Sequence, residues 1–277
     1  MPQTKRELQP RPKPKVNYTE LTYQVVREAP EPLPVRVIMW QVADIAPIAT
    51  RDPEQTIRNA ISQGRLIVAT GDGRYGWKPR LITGSTLRLT LSRRDLEGEG
   101  LRFSEEVRDA VWPAFFEAEK RMDDQPVQAQ LPDGTWTEWP LHHFGQTHWG
   151  TTGSGAFWRW FKSRKAKAND HLLITVDDGE ARRYRVVFQR RADRDEPAIQ
   201  ARNEAVVEAA LTYIRHSQQM RPIWDITSHL LATGCYHHPV PPDPLDEIWT
   251  RAIWEPEARK RSPPRYIWVT TGKRQSR

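Results

Sequence analysis

The chain has 277 residues, a net charge of +7, twelve tryptophans and a single cysteine. That length can hold two or three domains, each able to bury a core. It offers no apolar run near the ~20 residues of a membrane span, no secretory leader and no cysteine pair for an internal disulfide, so cytoplasm or nucleoid is the expected location.

The basic excess sits at the two ends. Residues 1–15 hold five basic groups against Glu7, and residues 256–277 hold seven against Glu257, which leaves the stretch between them net acidic. A polyanion would attract those ends without reading sequence. With four prolines and little apolar content, residues 1–17 are expected to be a disordered basic tail, and residues 272–277 a second short basic tail.

Residues 18–80 read as one small unit. TELTYQVVREA puts Leu21, Val25 and Val26 on a helical face. PEPLPVRVIMWQVADIA follows, with apolar Val37, Ile38, Trp40, Val42 and Ile45. TRDPEQTIRNAISQ contains a helix start: Asp52 as N-cap, Pro53 at the first helical position, and Gln55 three residues after the cap. LIVAT, the turn GDGR and YGW then read as strand, tight turn and strand. Three helices and a two-stranded wing describe a winged helix-turn-helix.

Residues 85–192 are strand-rich, with one helix expected over SEEVRDAVWPAFFEAEK. Pro132, Asp133 and Gly134 form a hairpin turn between VQAQL and TWTEW. HLLITV and RRYRVVFQR are further strands joined at Asp177, Asp178 and Gly179. Short strands around one or two helices suggest a partly open barrel. Residues 197–271 have three expected helices, in NEAVVEAALTYIRHSQ, IWDITSHLLATG and DPLDEIWTRAIW, the last capped by Asp243, and a final strand in RYIWVTTG. They repeat the winged-helix order, but residues 193–255 hold ten acidic groups against five basic ones. That surface repels phosphate and is expected to serve a protein partner or self-association, through residues 197–255.

The whole is therefore expected to be an α+β multidomain protein: a winged helix, a partly open seven-stranded β pseudobarrel, and a helical winged-helix-like domain. Two segments carry resemblances. The order from TYQVVREAPEPLPV through DPEQTIRNAIS to GDGRYGW resembles the HARE-HTH winged-helix module of restriction and modification systems, chromatin proteins and a polymerase subunit. Residues 85–192 resemble the plant B-three DNA-binding pseudobarrel and the related effector barrels of restriction endonucleases. The likeness lies in a strand leading into LSRRD, a D-G-x-W hairpin, a His/Gly-rich loop, the cluster FWRWF, and Asn169-Asp170 where the family commonly has Gly-Asp. Asn accepts positive φ almost as readily as Gly.

The resemblance implies double-stranded DNA as partner, with two arms in the major groove. The first holds Ser92, Arg93 and Arg94, whose guanidinium forks suit guanine O6 and N7; the second runs from His142 to Thr152. In it His143, Gln146, Thr147, His148 and Thr151 can meet bases or phosphates, and Gly145, Gly150, Gly153 and Gly155 let the loop follow the groove. Arg159, Lys162, Arg164, Lys165 and Lys167 suit phosphate neutralisation or a solvated face, while Trp158, Trp160 and Phe161 fall where the family packs its core. In the first unit Arg51, Gln55, Arg58 and Asn59 lie on the expected recognition helix above a buried side of Thr56, Ile57, Ala60 and Ile61, with Arg74 on the wing.

Other chemistry is thinner. His142, His143 and His148, and Cys235, His237 and His238, cluster without metal-site spacing, so no metal or other cofactor is expected. Asp123-Asp124 and Asp177-Asp178 sit in turn-like segments, and no Walker loop, nucleophile elbow or dinucleotide fingerprint is present. The reading is a non-catalytic DNA binder, sensitive to sequence or base modification, in transcription regulation or restriction-modification. Its alternatives are the recognition part of a nuclease and a docking module for a DNA-bound complex.

Overall fold

The structure, a computed structural model, describes residues 16–98, 100–113, 127–145, 148–217 and 222–254. Both basic tails, the FFEAEKRMDDQ insertion, Asp123, Asp124, Gln146, Thr147 and the strand expected in RYIWVTTG lie outside the described residues.

Helix α1 (Tyr18–Glu28) starts where the Asn17 side chain accepts the backbone N–H groups of Thr19 and Glu20. Strand β1 (Leu33–Pro34) leads into α2 (Val35–Ile45), and α3 (Pro53–Ser62) follows. Asp52 caps α3 by accepting the Gln55 N–H at 2.9 Å. Strands β2 (Ile67–Gly71) and β3 (Arg74–Trp77) turn at Asp72 and Gly73, both at positive φ. With β1 they make a three-stranded sheet, so the wing has one strand more than expected. Ile38, Val42, Ile57, Ile61 and Ile67 join α1's Val25 and Val26 in a separate small core. Trp40 and Ile45, although apolar, are 60% and 50% exposed, because Ile38 and Val42 already fill the face turned to α1 and α3.

The next segment holds α4 (Lys78–Leu81), β4 (Thr86–Thr90), α5 (Arg93–Leu96), β5 (Leu101–Arg102) and α6 (Glu105–Val111). The helix expected to run on through FFEAEK stops at Val111, since Pro113 disfavours helical geometry at Trp112. Then come β6 (Val127–Gln130), β7 (Trp136–Trp139), β8 (Leu141–Phe144), β9 (His148–Thr151), α7 (Gly155–Ser163), β10 (His171–Asp178) and β11 (Arg183–Gln189). These eight strands, against the seven expected, form a sheet ordered β4-β10-β11-β6-β7 and a second ordered β5-β9-β8. None of the described sheets closes into a barrel. Pro140, without an N–H, separates β7 from β8, which pairs with β9 instead.

Helices α8 (Glu196–Ser217), α9 (Ile223–Ala232) and α10 (Leu245–Trp254) complete the described chain. They do not have a core to themselves. Val206, Leu230, Leu231, Tyr236 and Trp249 pack in one continuous cluster with Leu89, Val107, Trp139, Phe157 and Ile174 of the strand-rich segment. Asp243, expected as the N-cap of α10, is buried instead, accepting from Arg194 Nη2 at 2.8 Å and from Asn203 Nδ2 at 3.1 Å. The helix start is met from elsewhere: Leu245 N–H donates to Glu106 Oε1 at 2.7 Å.

A buried triad ties the first unit to the rest. Lys78 Nζ donates to Asp109 Oδ1 at 2.5 Å and to Ser228 Oγ at 3.2 Å, and Ser228 Oγ donates to Asp109 Oδ2 at 2.7 Å. Burial pushes the Lys78 pKa down, and the Asp109 carboxylate opposes that shift. Arg65 over the Trp224 ring and His229 against the Ala69 carbonyl add contacts between the wing and α9.

Candidate nucleic-acid interface

The first expected arm is a single helical turn rather than an open loop. Its sequence Ser92-Arg93-Arg94-Asp95 writes a capping box: Ser92 N–H donates to Asp95 Oδ2 at 2.7 Å, and Asp95 N–H donates to Ser92 Oγ at 3.4 Å. The Ser92 hydroxyl also donates to Asp95 Oδ2. It is therefore committed to the cap and is not the free DNA donor expected. Arg93 and Arg94 are exposed, with no ion-pair partner among the described residues.

The second arm is the β8–β9 hairpin. Strand alternation sends His142 and His143 to opposite faces: His142 lies against Phe144 at 4.5 Å between ring centroids, and His143 against Trp149 at 4.3 Å. His142 and His148 are exposed and His143 is half-buried. Thr151 is fully buried and its Oγ1 accepts the Gly153 N–H, so it cannot reach a groove as expected. Gly150, expected to let the loop approach DNA, is buried against the backbone of β5, where a Cβ would overlap the Leu101 carbonyl oxygen.

The two arms are joined at their bases. Arg102 N–H donates to Asp95 Oδ1 at 3.0 Å, and Arg102 Nη1 stands 3.6 Å from the same oxygen. The same guanidinium lies 4.7 Å from the centroid of the Phe144 ring, where β8 ends. Leu101 and Arg102 pair directly with Thr151 and Gly150. A Cβ at Gly100 would overlap the Phe144 ring, so only glycine lets these segments close up. Arg102 went unnoticed in the sequence, because a lone arginine in a two-residue strand carries no local signal.

Helix α7 starts at the Ser154 cap and buries Phe157, Trp160 and Phe161, as the family likeness implied for the last two. Trp158 is half-buried and donates its Nε1–H to the Thr152 carbonyl, bracing the exit of the second arm. Arg159, Lys162 and Lys165 are exposed, and Arg164 stacks over Trp160 at 5.5 Å. Asn169 has φ +71°, the conformation expected where the family places glycine.

The recognition-helix residues of the first unit form a different surface. Arg51, Gln55, Arg58 and Asn59 are exposed, but Arg58 is paired with Glu54 at 2.7 Å and Gln55 Nε2 donates to Asn59 Oδ1 at 2.8 Å. The Arg58 hydrogen bond holds the Glu54 carboxyl below its usual range. Arg74 is exposed and donates to the Pro32 carbonyl at 3.2 Å. Helix α3 packs on α1, α2 and β2, and none of the hydrogen bonds found among the described residues joins it to either arm.

Among the described residues no three His, Cys, Asp or Glu side chains are grouped to hold a metal ion, and no helix is long and apolar enough to cross a membrane. Comparison with known proteins finds no family model and no curated sequence that matches this chain.

Proposed function

We propose that this chain binds double-stranded DNA without acting on it chemically, and that it is sensitive to sequence or to base modification. Arg93 and Arg94 read guanine edges, while the β8–β9 hairpin presents His143 and His148 beside them. The observation that carries this reading is the union of the two arms through Asp95, Arg102 and Phe144, which holds an arginine-bearing turn and a histidine-bearing hairpin at one edge. Two such protrusions fixed to each other can enter a groove together. Exposed Arg51, Gln55 and Asn59 on α3 offer a second contact, and the basic chain ends add salt-dependent affinity.

Selection from a random duplex pool at low salt, run with unmodified and with modified bases, tests this. The expected result is an enriched motif; a pool that shows no retention at all overturns the reading. A recognition component of a nuclease is separated by incubating the chain with plasmid and magnesium or manganese, where persistent supercoiled DNA is the expected outcome.

A further inference from the structure

Three strand ends gather charges that lie far apart in the sequence. His171 is opposite Thr90 on one side and Gln189 on the other, so the end of β4, the start of β10 and the end of β11 lie side by side. Asp170 fastens what projects from them. Its Oδ2 accepts the Lys167 N–H at 2.8 Å and its Oδ1 accepts the Arg191 N–H at 2.9 Å. Leu91 N–H donates to the Asp170 carbonyl at 2.8 Å, and Asn169 N–H donates to the Leu91 carbonyl at 2.8 Å.

Six exposed cations emerge from these tied segments: Arg93, Arg94, Lys165, Lys167, Arg190 and Arg191. None has an ion-pair partner among the described residues. Asp95 and Asp170 on the same segments are buried and taken up by backbone N–H groups; the exposed acids lie at the flanks, Glu97 on one side and Asp193, Asp195 and Glu196 on the other, with Glu196 paired to Arg194. Arg58 on α3, by contrast, is already neutralised by Glu54. The segment Leu91–Arg94 is thus bound to the second arm on one side, through Asp95 and Arg102, and to this sheet end on the other.

We infer that Arg190 and Arg191, with Lys165 and Lys167, form a seat for the phosphate backbone of duplex DNA flanking the arms. The inference rests on the DNA-binding reading above. It adds a phosphate contact made by the strand-rich body itself, just past the end of β11. Phosphate contacts carry no sequence information, so their loss lowers affinity for all duplexes alike.

The test is Arg190→Ala/Arg191→Ala in the full chain. Binding is measured by anisotropy against increasing salt, on a duplex selected by the unaltered chain and on a scrambled one. The slope of log K against log salt should become shallower by about 1.8, near 0.9 for each lost phosphate contact. Affinity should fall by the same factor on both duplexes, and Arg190→Lys/Arg191→Lys should restore it. An unchanged slope overturns the inference, as does loss confined to the selected duplex, while leaving the arms as readers. If the unaltered chain binds neither duplex, the DNA-binding reading falls and this inference falls with it. Native-like unfolding of the Ala variant shows that the site, and not the fold, is being read.

Discussion

Asp95 and Arg102 are bonded twice, backbone to carboxylate at 3.0 Å and guanidinium to carboxylate at 3.6 Å, and that contact holds the two arms in register. Asp95 closes the capping box of α5 with the same side chain. Asp95→Ala removes both bonds and leaves the Arg102 N–H unmet, so it should cost about 1–3 kcal/mol in urea unfolding. Ser92→Ala, losing only the cap, should cost about 0.5–2 kcal/mol. Equal stability of Asp95→Ala and the unaltered chain would refute this role.

Arg93→Ala should weaken binding to the preferred duplex by about 1–3 kcal/mol and relax discrimination at one position. The residue is exposed and unpaired, so thermal unfolding should stay put. A uniform loss over all sequences would make Arg93 a phosphate contact instead.

Gly150 and Gly145 should respond differently to alanine. A Cβ at Gly150 meets the Leu101 carbonyl within the β5–β9 pairing, whereas one at Gly145 meets nothing within 4 Å and costs only its φ of +66°. Gly145→Ala should cost about 1–2 kcal/mol and Gly150→Ala more. Denaturant midpoints of the two variants decide it, and the reverse order would contradict the close approach of β5 and β9.

Lys78→Met should destabilise the chain by about 3–5 kcal/mol, because it strands the Asp109 carboxylate in the interior. Pairing it with Asp109→Leu should cost less than Lys78→Met alone, since no charge then remains buried. A double-mutant cycle in urea measures the coupling. Additive losses would mean that the two groups do not act as a pair.

Glu106 sets a pH dependence. Burial, with the charge of Asp246 behind it, pushes its carboxyl from 4.5 up to about 8, although the Leu245 N–H pulls the other way. Between those values the folded chain keeps a proton that the unfolded chain releases. Its contribution to stability therefore falls as pH rises through that window and levels off on either side. Glu106→Gln has no proton to keep, so its stability relative to the unaltered chain should improve from about pH 5 to about pH 8, by roughly 1.4 kcal/mol per unit at most. Unfolding curves at several pH values check the trend, and a pH-independent difference would contradict it.

The readings that came through from the residues alone are local. The Asp52 cap, the GDGR turn, the turn at Gly134 and the positive φ of Asn169 each depend on hydrogen bonds or sterics spanning a few residues, which travel with the chain wherever it folds. The helices of the first unit and α8 to α10 were legible for the same reason, whereas α5, α7 and the stop of α6 ahead of Pro113 went unread. The errors lie where a partner is distant. Thr151 and Gly150 looked like loop residues because nothing in their neighbourhood reveals that β5 covers them. The apolar character of Trp40 likewise does not say which face of α2 finds a partner, and the residue is exposed.

By itself the sequence determined where most helices begin, where the chain turns, and that cations are plentiful at both ends. Tertiary structure alone decided which distant residues of the body become neighbours: it drew Arg191 to Asp170 across 21 positions and Lys78 to Ser228 across 150. A cap or a turn is selected by energies within one helical turn. Contacts between distant segments are selected only once sheet order and core packing have closed the loops between them.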